Sequence, residues 1–349
     1  MEKQKVIISE QLEQVLRKET GECKADRIFI LNDKTTHQFC LPVIKDYDYL
    51  QGAEVITIEA GDTNKTLDSV VHVWSELQRL GATRHSLLIN LGGGMVTDLG
   101  AFAASTFKRG ISIINIPTTL LSMVDASVGG KTGFNFGGLK NEIGVFRNAD
   151  CVILDTVFLK TMDEENILSG YAEMLKHGLI STEAHWAELM NFDIEHPNLK
   201  ELGDLVAKSV QVKERIVTED PTEKGIRKAL NLGHTVGHAF ESLALQRKPV
   251  LHGYAVAWGL VCELYLSVAK TGFPVEKMRQ MTRFIFDHYG RMPITCDDYP
   301  TLLELMTHDK KNIGTSINFT LMGGIGDIRI NQTATKEEIE EALDFYREG

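Results

Sequence analysis

The sequence predicts an α/β nucleotide-binding domain over residues 1–160, followed by a mostly α-helical domain over residues 161–349. Three observations carry that reading. Short runs rich in Ile, Val and Leu recur through the first 155 residues, separated by stretches with helical spacing. After Asp155 the runs stop and helical spacing takes over almost entirely. Finally, 349 residues exceed what a single core of ordinary size serves, which favours two domains.

The strand-like runs are KVIIS, RIFILND, EVITIEAG, SLLINLGGG, ISIINIPTT and CVILD. Strands of a parallel sheet are apolar in this way because neither face meets water. Several end in Asp, Gly or Thr, where such sheets place their ligands. Beyond Asp155, ENILSGYAEMLKHGLI, LKELGDLVAKSVQVKERIV, NLGHTVGHAFE, YAVAWGLVCELYLSVAK, EKMRQMTRFIFDHYG and TLLELMTHDKK space their apolar residues as helices do. SINFTLMGGIGDIRI reads as a short hairpin, and KEEIEEALDFYRE as the final helix.

Composition narrows the partners. A net charge of −11 argues against non-specific nucleic-acid binding. No apolar run approaches the ~20 residues that span a bilayer, and MEKQKVIISEQLEQ has no signal-peptide core. Five scattered cysteines without a CxxC fit reduced thiols. The expectation is a cytoplasmic protein with neither nucleic acid nor membrane as partner.

Two glycine clusters invite an anion. In LLINLGGGMVTDLGAFAAS a strand, three glycines (92 to 94) and a small-residue helix form a phosphate cradle, since backbone N–H groups and the helix N-terminus favour negative charge. In VDASVGGKTGFNFGGLKNEIG, a glycine loop carries Lys131 and Lys140 beside Asp125 and Asn141. Further cations sit beside glycines or in apolar helices: Arg109, Lys176, Lys213, Arg227 and the lysines of the Asp309-Lys310-Lys311 run. Together they suggest a locally positive site for a small molecule with phosphate and carboxylate groups.

NLGHTVGHAFE raises a separate question, because Gly233 and Gly237 each cost a helix about 1 kcal/mol relative to alanine. On one continuous helix, Arg227, Asn231, His234 and His238 share a narrow stripe, with Glu223 joining if the helix starts that early. The glycines would admit a close backbone or ligand. A catalytic zinc takes three protein ligands and keeps one position open. His234 supplies one, and His252 and Glu173 are candidates for the others. His238 is either an alternative ligand or a general base.

The segments GGGMVTDLGAFAASTFKRG, IPTTLLSMVDASVGGKTGFN, AEMLKHGLI, EKGIRKALNLGHTVGHAFE and LHGYAVAWG, in this order, closely resemble the 3-dehydroquinate synthase family of sugar phosphate cyclases. The likeness covers nearly the whole chain. It implies a dehydroquinate synthase-like fold of two domains with the active site in the cleft between them, NAD, one divalent metal (zinc or cobalt) and a homodimer. The implied reaction turns the sugar phosphate 3-deoxy-D-arabino-heptulosonate 7-phosphate into 3-dehydroquinate and phosphate, in the shikimate route to aromatic amino acids. Rival readings are another cyclase of the family and a metal-dependent alcohol or glycerol dehydrogenase of the same fold. Carried over motif by motif, the metal ligands are Glu173, His234 and His252, and the acid/base pair is Glu223 and His238. Lys131, Lys176, Arg227 and Asn231 are implied to assist catalysis. Substrate contacts are implied for Arg109, Asp125, Lys131, Lys140, Asn141, Lys176, Lys213, Arg227 and Asn231, with Lys310 or Lys311. NAD contacts are implied for Asp33, Asp62, Lys65, Gly93, Gly94, Met95, Asp98, Thr118, Thr119, Lys131, Lys140, Phe158 and Thr161. Three positions depart from the family's usual pattern: Tyr254 where glutamate is common after His-Gly, FGGLKN around Lys140, and Asp62 in place of glutamate.

Overall fold

The computed structural model describes residues 4–307 and 317–349, so Lys310 and Lys311 lie outside the described residues. The chain divides into two units: Met1–Asp163 with Asn198–Val210, and Glu164–Pro197 with Gln211–Gly349.

In chain order, the first unit contains β1 (Val6–Ser9), α1 (Leu12–Cys23), β2 (Ile28–Asp33), α2 (Lys34–Phe39), α3 (Leu41–Ile44), β3 (Glu54–Ile58), α4 (Leu67–Arg79), β4 (Leu87–Gly92), α5 (Gly94–Thr106), β5 (Ser112–Pro117), β6 (Lys131–Phe136), β7 (Leu139–Phe146) and β8 (Cys151–Asp155). The six apolar runs form one sheet, in the order β1-β8-β5-β4-β2-β3. Every pairing in it is parallel. All residues of β4 and β8 are buried, as covering on both faces demands. Gly100 of α5 lets that helix sit on the sheet, since a Cβ there would lie 2.0 Å from Asn90 Oδ1.

The second glycine cluster is more ordered than a glycine loop. After a π-helical turn (Ser122–Ala126), β6 and β7 pair as an antiparallel hairpin. Gly137 and Gly138 make its turn, with φ of +60° and +81°, a region other residues enter only with strain. Phe134 anchors the hairpin edge-on to Phe102 of α5, with ring centroids 5.1 Å apart.

The remaining elements are α6 (Glu164–Leu179), α7 (Glu183–Asn191), α8 (Leu199–Glu219), α9 (His234–Leu245), α10 (His252–Thr271), α11 (Val275–Tyr289), α12 (Tyr299–Thr307), β9 (Asn318–Gly324), β10 (Asp327–Thr333) and α13 (Lys336–Glu348). Of these, α10 is the central element of the second unit, buried on nearly every side from Ala255 to Leu264. The β9–β10 hairpin is antiparallel. It is tied to α10 by Met322 N donating to Ser267 Oγ at 3.0 Å, and to α9 by Thr235 Oγ1 donating to Asn318 O at 3.1 Å. Among the described residues, no helix is long and apolar enough to cross a membrane.

One sequence expectation is corrected. Arg227 and Asn231 do not share a continuous helix with His234 and His238. Residues Ile226–Asn231 form a 3-10 turn, Leu232 leaves helical conformation, and Gly233 enters the left-handed region at φ +78° before α9 begins. Glu223 lies further back, itself left-handed at φ +61°.

Candidate functional site

Three helices meet backbone to backbone because glycines stand at the crossings. A Cβ on Gly259 of α10 would lie 2.0 Å from Gly233 O and 2.6 Å from Gly237 N. One on Gly237 would lie 2.9 Å from Ala255 O, and one on Gly253 1.9 Å from Ser169 O of α6. The α9–α10 and α10–α6 crossings are thus closed to any residue with a side chain. Gly233 and Gly237, costly in an isolated helix, are required here.

The close crossings bring Glu173 of α6 to His234 and His252, the first residues of α9 and α10. Ligand atoms of the three lie within 4.8 Å of one another. Glu173 Oε1 is 3.3 Å from His234 Nε2 and 3.5 Å from His252 Nε2. For bonds of about 2.0–2.1 Å, a tetrahedral ion needs ligand atoms about 3.4 Å apart. Each imidazole is oriented through its other nitrogen. His234 Nδ1 lies 3.1 Å from Leu232 O, a partner for its N–H, and His252 Nδ1 lies 3.4 Å from Glu241 Oε2.

Electrostatics support the same reading. The Glu173 carboxylate is fully buried, and Oε2 accepts from Lys176 Nζ, also buried. Oε1 faces both imidazoles at 3.3 and 3.5 Å, long for charge-assisted hydrogen bonds. A cation between the three would satisfy it. Burial alone would raise the Glu173 pKa, but Lys176 and His234 outweigh it and hold the carboxyl well below its ordinary range. For His252, burial opposes protonation, yet hydrogen bonds to Glu173 and Glu241 win and push it up to about 10. So much negative charge around the imidazoles is what a divalent ion would neutralise. A second trio, His238, Glu241 and His252, has ligand atoms equally close. Its carboxylate addresses His252 from the Nδ1 side, as an orienting group does. His238 stands beside the centre, its ring edge-on to that of His234 at 5.4 Å and tilted against that of His252 at 5.9 Å.

The remaining residues singled out in this unit fall into a neighbouring turn and two helices. Glu223 Oε1 accepts from Asn231 Nδ2 at 3.0 Å. Arg227 is buried and donates to Pro221 O at 2.7 Å. Lys213 is buried on α8. Tyr254 packs its ring against Tyr289, with centroids 5.2 Å apart and edge-on.

In the first unit, a different set assembles. Gly93 caps α5, with Thr119 3.1 Å from where its Cβ would be, and Gly94 and Met95 open the helix. Thr118 N donates to Gly92 O at 3.0 Å. Lys65 is buried and its Nζ donates to Asp98 Oδ2 and to Asn141 Oδ1, both at 2.6 Å. Asn141, implied as a substrate contact, is therefore joined to two implied NAD contacts. Lys140 Nζ lies 3.5 Å from Asp62 Oδ2. Asp33 caps α2 by accepting from Thr36 N at 2.8 Å. Phe158 is buried in the 3-10 turn Thr156–Thr161, where Thr161 Oγ1 donates to Phe158 O at 3.4 Å. Arg109 is exposed at φ +72°, Lys131 is exposed at the start of β6, and Asp125 is half-buried in the π-helical turn.

Three residues escaped the sequence reading. Glu241 orients His252. Asp220 accepts from Lys224 N, Gly225 N and Arg227 N at 3.1, 2.7 and 3.1 Å, which shapes the turn carrying Glu223. Glu263 accepts from the start of α9. Only the last had a sequence signal: a carboxylate inside the apolar run YAVAWGLVCELYLSVAK must find a partner.

Models described as 3-dehydroquinate synthase N-terminal and C-terminal match residues 55–169 and 170–312. A 3-dehydroquinate synthase of Parabacteroides distasonis is 56% identical over 350 residues, covering 100% of this chain and 99% of its own length. Among solved structures, 2-epi-5-epi-valiolone synthase of Streptomyces hygroscopicus subsp. jinggangensis, with NAD+ and Zn2+ bound, matches at a TM-score of 0.86. It is 25% identical, over 99% of this chain and 97% of that one. A 2-deoxy-scyllo-inosose synthase complexed with carbaglucose-6-phosphate, NAD+ and Co2+ shares the fold at a TM-score of 0.86 and 22% identity, over 99% of this chain and 96% of its own.

Proposed function

The chain belongs to the 3-dehydroquinate synthase family, and we propose that it converts 3-deoxy-D-arabino-heptulosonate 7-phosphate into 3-dehydroquinate and phosphate, using NAD and one zinc or cobalt ion. The observation that carries the metal part is the Glu173–His234–His252 trio, its ligand atoms within 4.8 Å of one another and Glu173 Oε1 facing both imidazoles. When bound, the metal supplies Lewis acidity at a substrate hydroxyl and NAD takes up and returns a hydride.

The chain's own residues bind, orient and move protons. His238 stands beside the trio as the group that exchanges a proton with substrate, and Glu223, held by Asn231, is its partner. Buried Lys176, Lys213 and Arg227 would hold carboxylate and phosphate where water screens them little. Lys131, Lys140 and Arg109 are the first unit's candidate cations for anionic groups. The Gly93–Gly94 start of α5 would take the NAD pyrophosphate, with Asp98, Lys65, Thr118 and Thr119 around it. A homodimer is the assembly we expect.

The cyclitol-forming neighbours share the fold at 22–25% identity, whereas the dehydroquinate synthase relative is 56% identical end to end, which favours this reading over another cyclase. A phosphate-release assay with the heptulosonate phosphate, with and without NAD, tests it. Phosphate should appear in step with dehydroquinate and without net NADH. NADH accumulating without phosphate would mean a dehydrogenase instead.

A further inference from the structure

Resting on the metal reading above, we propose that Glu263 is a positioning residue for the metal centre, acting by fixing the start of α9 and so the place of His234. It lies on α10, which also carries His252, and is fully buried. Its Oε2 accepts from Gly233 N at 2.7 Å, and its Oε1 accepts from Thr235 N at 2.9 Å and Val236 N at 3.1 Å. These N–H groups belong to the first turn of α9, where a helix has no partners of its own. Gly233 and Thr235 flank His234 on either side. One carboxylate on one ligand-bearing helix therefore sets the backbone on both sides of the ligand carried by the other.

Several other helix starts are capped by a local side chain, as Asp33 does for α2 and Thr335 for α13. Gly233 has no side chain to cap α9. A residue with one would collide with Leu260 and with Val256 O. The crossing that brings the helices together thus forbids a local cap, and Glu263 supplies it from across the crossing. Volume alone does not explain a carboxylate here. An apolar side chain would fill the space without burying a charge. What the carboxylate adds is acceptor capacity for three donors, strengthened by the positive end of the helix. Glutamine cannot replace it, because its amide would turn an N–H toward at least one backbone N–H.

The test uses full-length protein stripped of metal, titrated with Co2+ and followed by the ion's visible absorption, for wild type, Glu263→Gln, Glu263→Asp and His234→Ala. Wild type should bind one Co2+, and His234→Ala should bind far more weakly. Glu263→Gln should raise the Co2+ dissociation constant about 10–100-fold, the usual effect of losing a group that orients a ligand. Its turnover should recover at high Co2+, which a merely structural defect would not allow. Glu263→Asp, keeping the charge one methylene further back, should fall between the two. A folded Glu263→Gln protein with wild-type Co2+ affinity overturns the inference and leaves the metal reading intact. Should neither Glu263 variant fold, the residue serves folding alone and the inference falls. No Co2+ binding by wild type, or undiminished binding by His234→Ala, removes the metal reading and this inference with it.

Discussion

The two halves of the candidate machinery are built by different means. Around Glu173, His234 and His252, backbones are in contact at the glycine crossings, which fixes where the three residues stand. Around Lys65, Asp98 and Asn141, position depends on side-chain hydrogen bonds to a hairpin whose second strand is exposed throughout. Asn135 completes that lattice: its N–H donates to Lys65 O at 2.8 Å, its amide to Asp62 O at 3.0 Å, and its Oδ1 accepts from Asn141 N at 2.9 Å. The first construction suits a site that must hold an ion at fixed distances. The second suits groups that meet a larger ligand and can be set by a few polar ties.

The contrast can be broken most directly at the ion. Chelator-treated protein should lose turnover and regain it with zinc or cobalt. In His234→Ala, turnover should fall more than about 100-fold, since even orienting groups cost 10–100-fold. Metal analysis of the purified variant checks it, and retained metal with full activity would break the assignment.

Gly259→Ala should come next, although it adds a single methyl group. It forces that methyl against Gly233 O, so about 1–3 kcal/mol of stability and most of the metal affinity should be lost. The matched control is Gly137→Ala in the hairpin turn, where nothing lies within 4 Å of the new Cβ. Its cost should be the left-handed backbone alone, about 1 kcal/mol, with metal affinity unchanged. Urea unfolding and cobalt titration on both variants decide whether backbone contact sets the centre.

Smaller still, Lys65→Met should remove two bonds and leave Asp98 without this lysine. A charge-assisted bond is worth about 1.5–3 kcal/mol, so KM for NAD or substrate should rise tenfold or more. Metal content should not move, and a variant that loses metal would erase the distinction between the halves. Smallest is Asp62→Asn, which removes an exposed pair with Lys140. Stability should change by less than about 1 kcal/mol, and added salt should mask the difference.

What the sequence revealed follows the same divide. The six strands were legible because each is a short run rich in Ile, Val and Leu, and α6, α10, α11 and α13 because their apolar residues keep helical spacing. Hairpin β6–β7 was hidden: its glycines look like loop, and with both central turn residues left-handed they make the tight turn. The proposed stripe through Arg227 and His238 failed at Leu232 and Gly233, where the backbone leaves helical conformation and α10 lies close against Gly233. Periodicity cannot report such a contact, since it acts between segments distant in sequence. Asp220 and Glu241 were illegible for a related reason. Both are ordinary charges at the sequence level and acquire meaning from the N–H groups or the imidazole they face.

The glycine crossings also bear on the order in which the centre assembles during folding. His234 and His252 stand on helices joined by the short segment from residue 246 to residue 251, and the Gly233–Gly259 contact locks that pair into a helical hairpin. Glu173 arrives from a helix that ends at residue 179, so its capture closes a much longer loop and carries the larger entropic penalty. The pair of imidazoles is therefore the local half of the centre and the carboxylate the long-range half. An ion held by the imidazoles alone would already favour the docking of α6, so metal uptake would drive the long-range closure of the second unit rather than follow it.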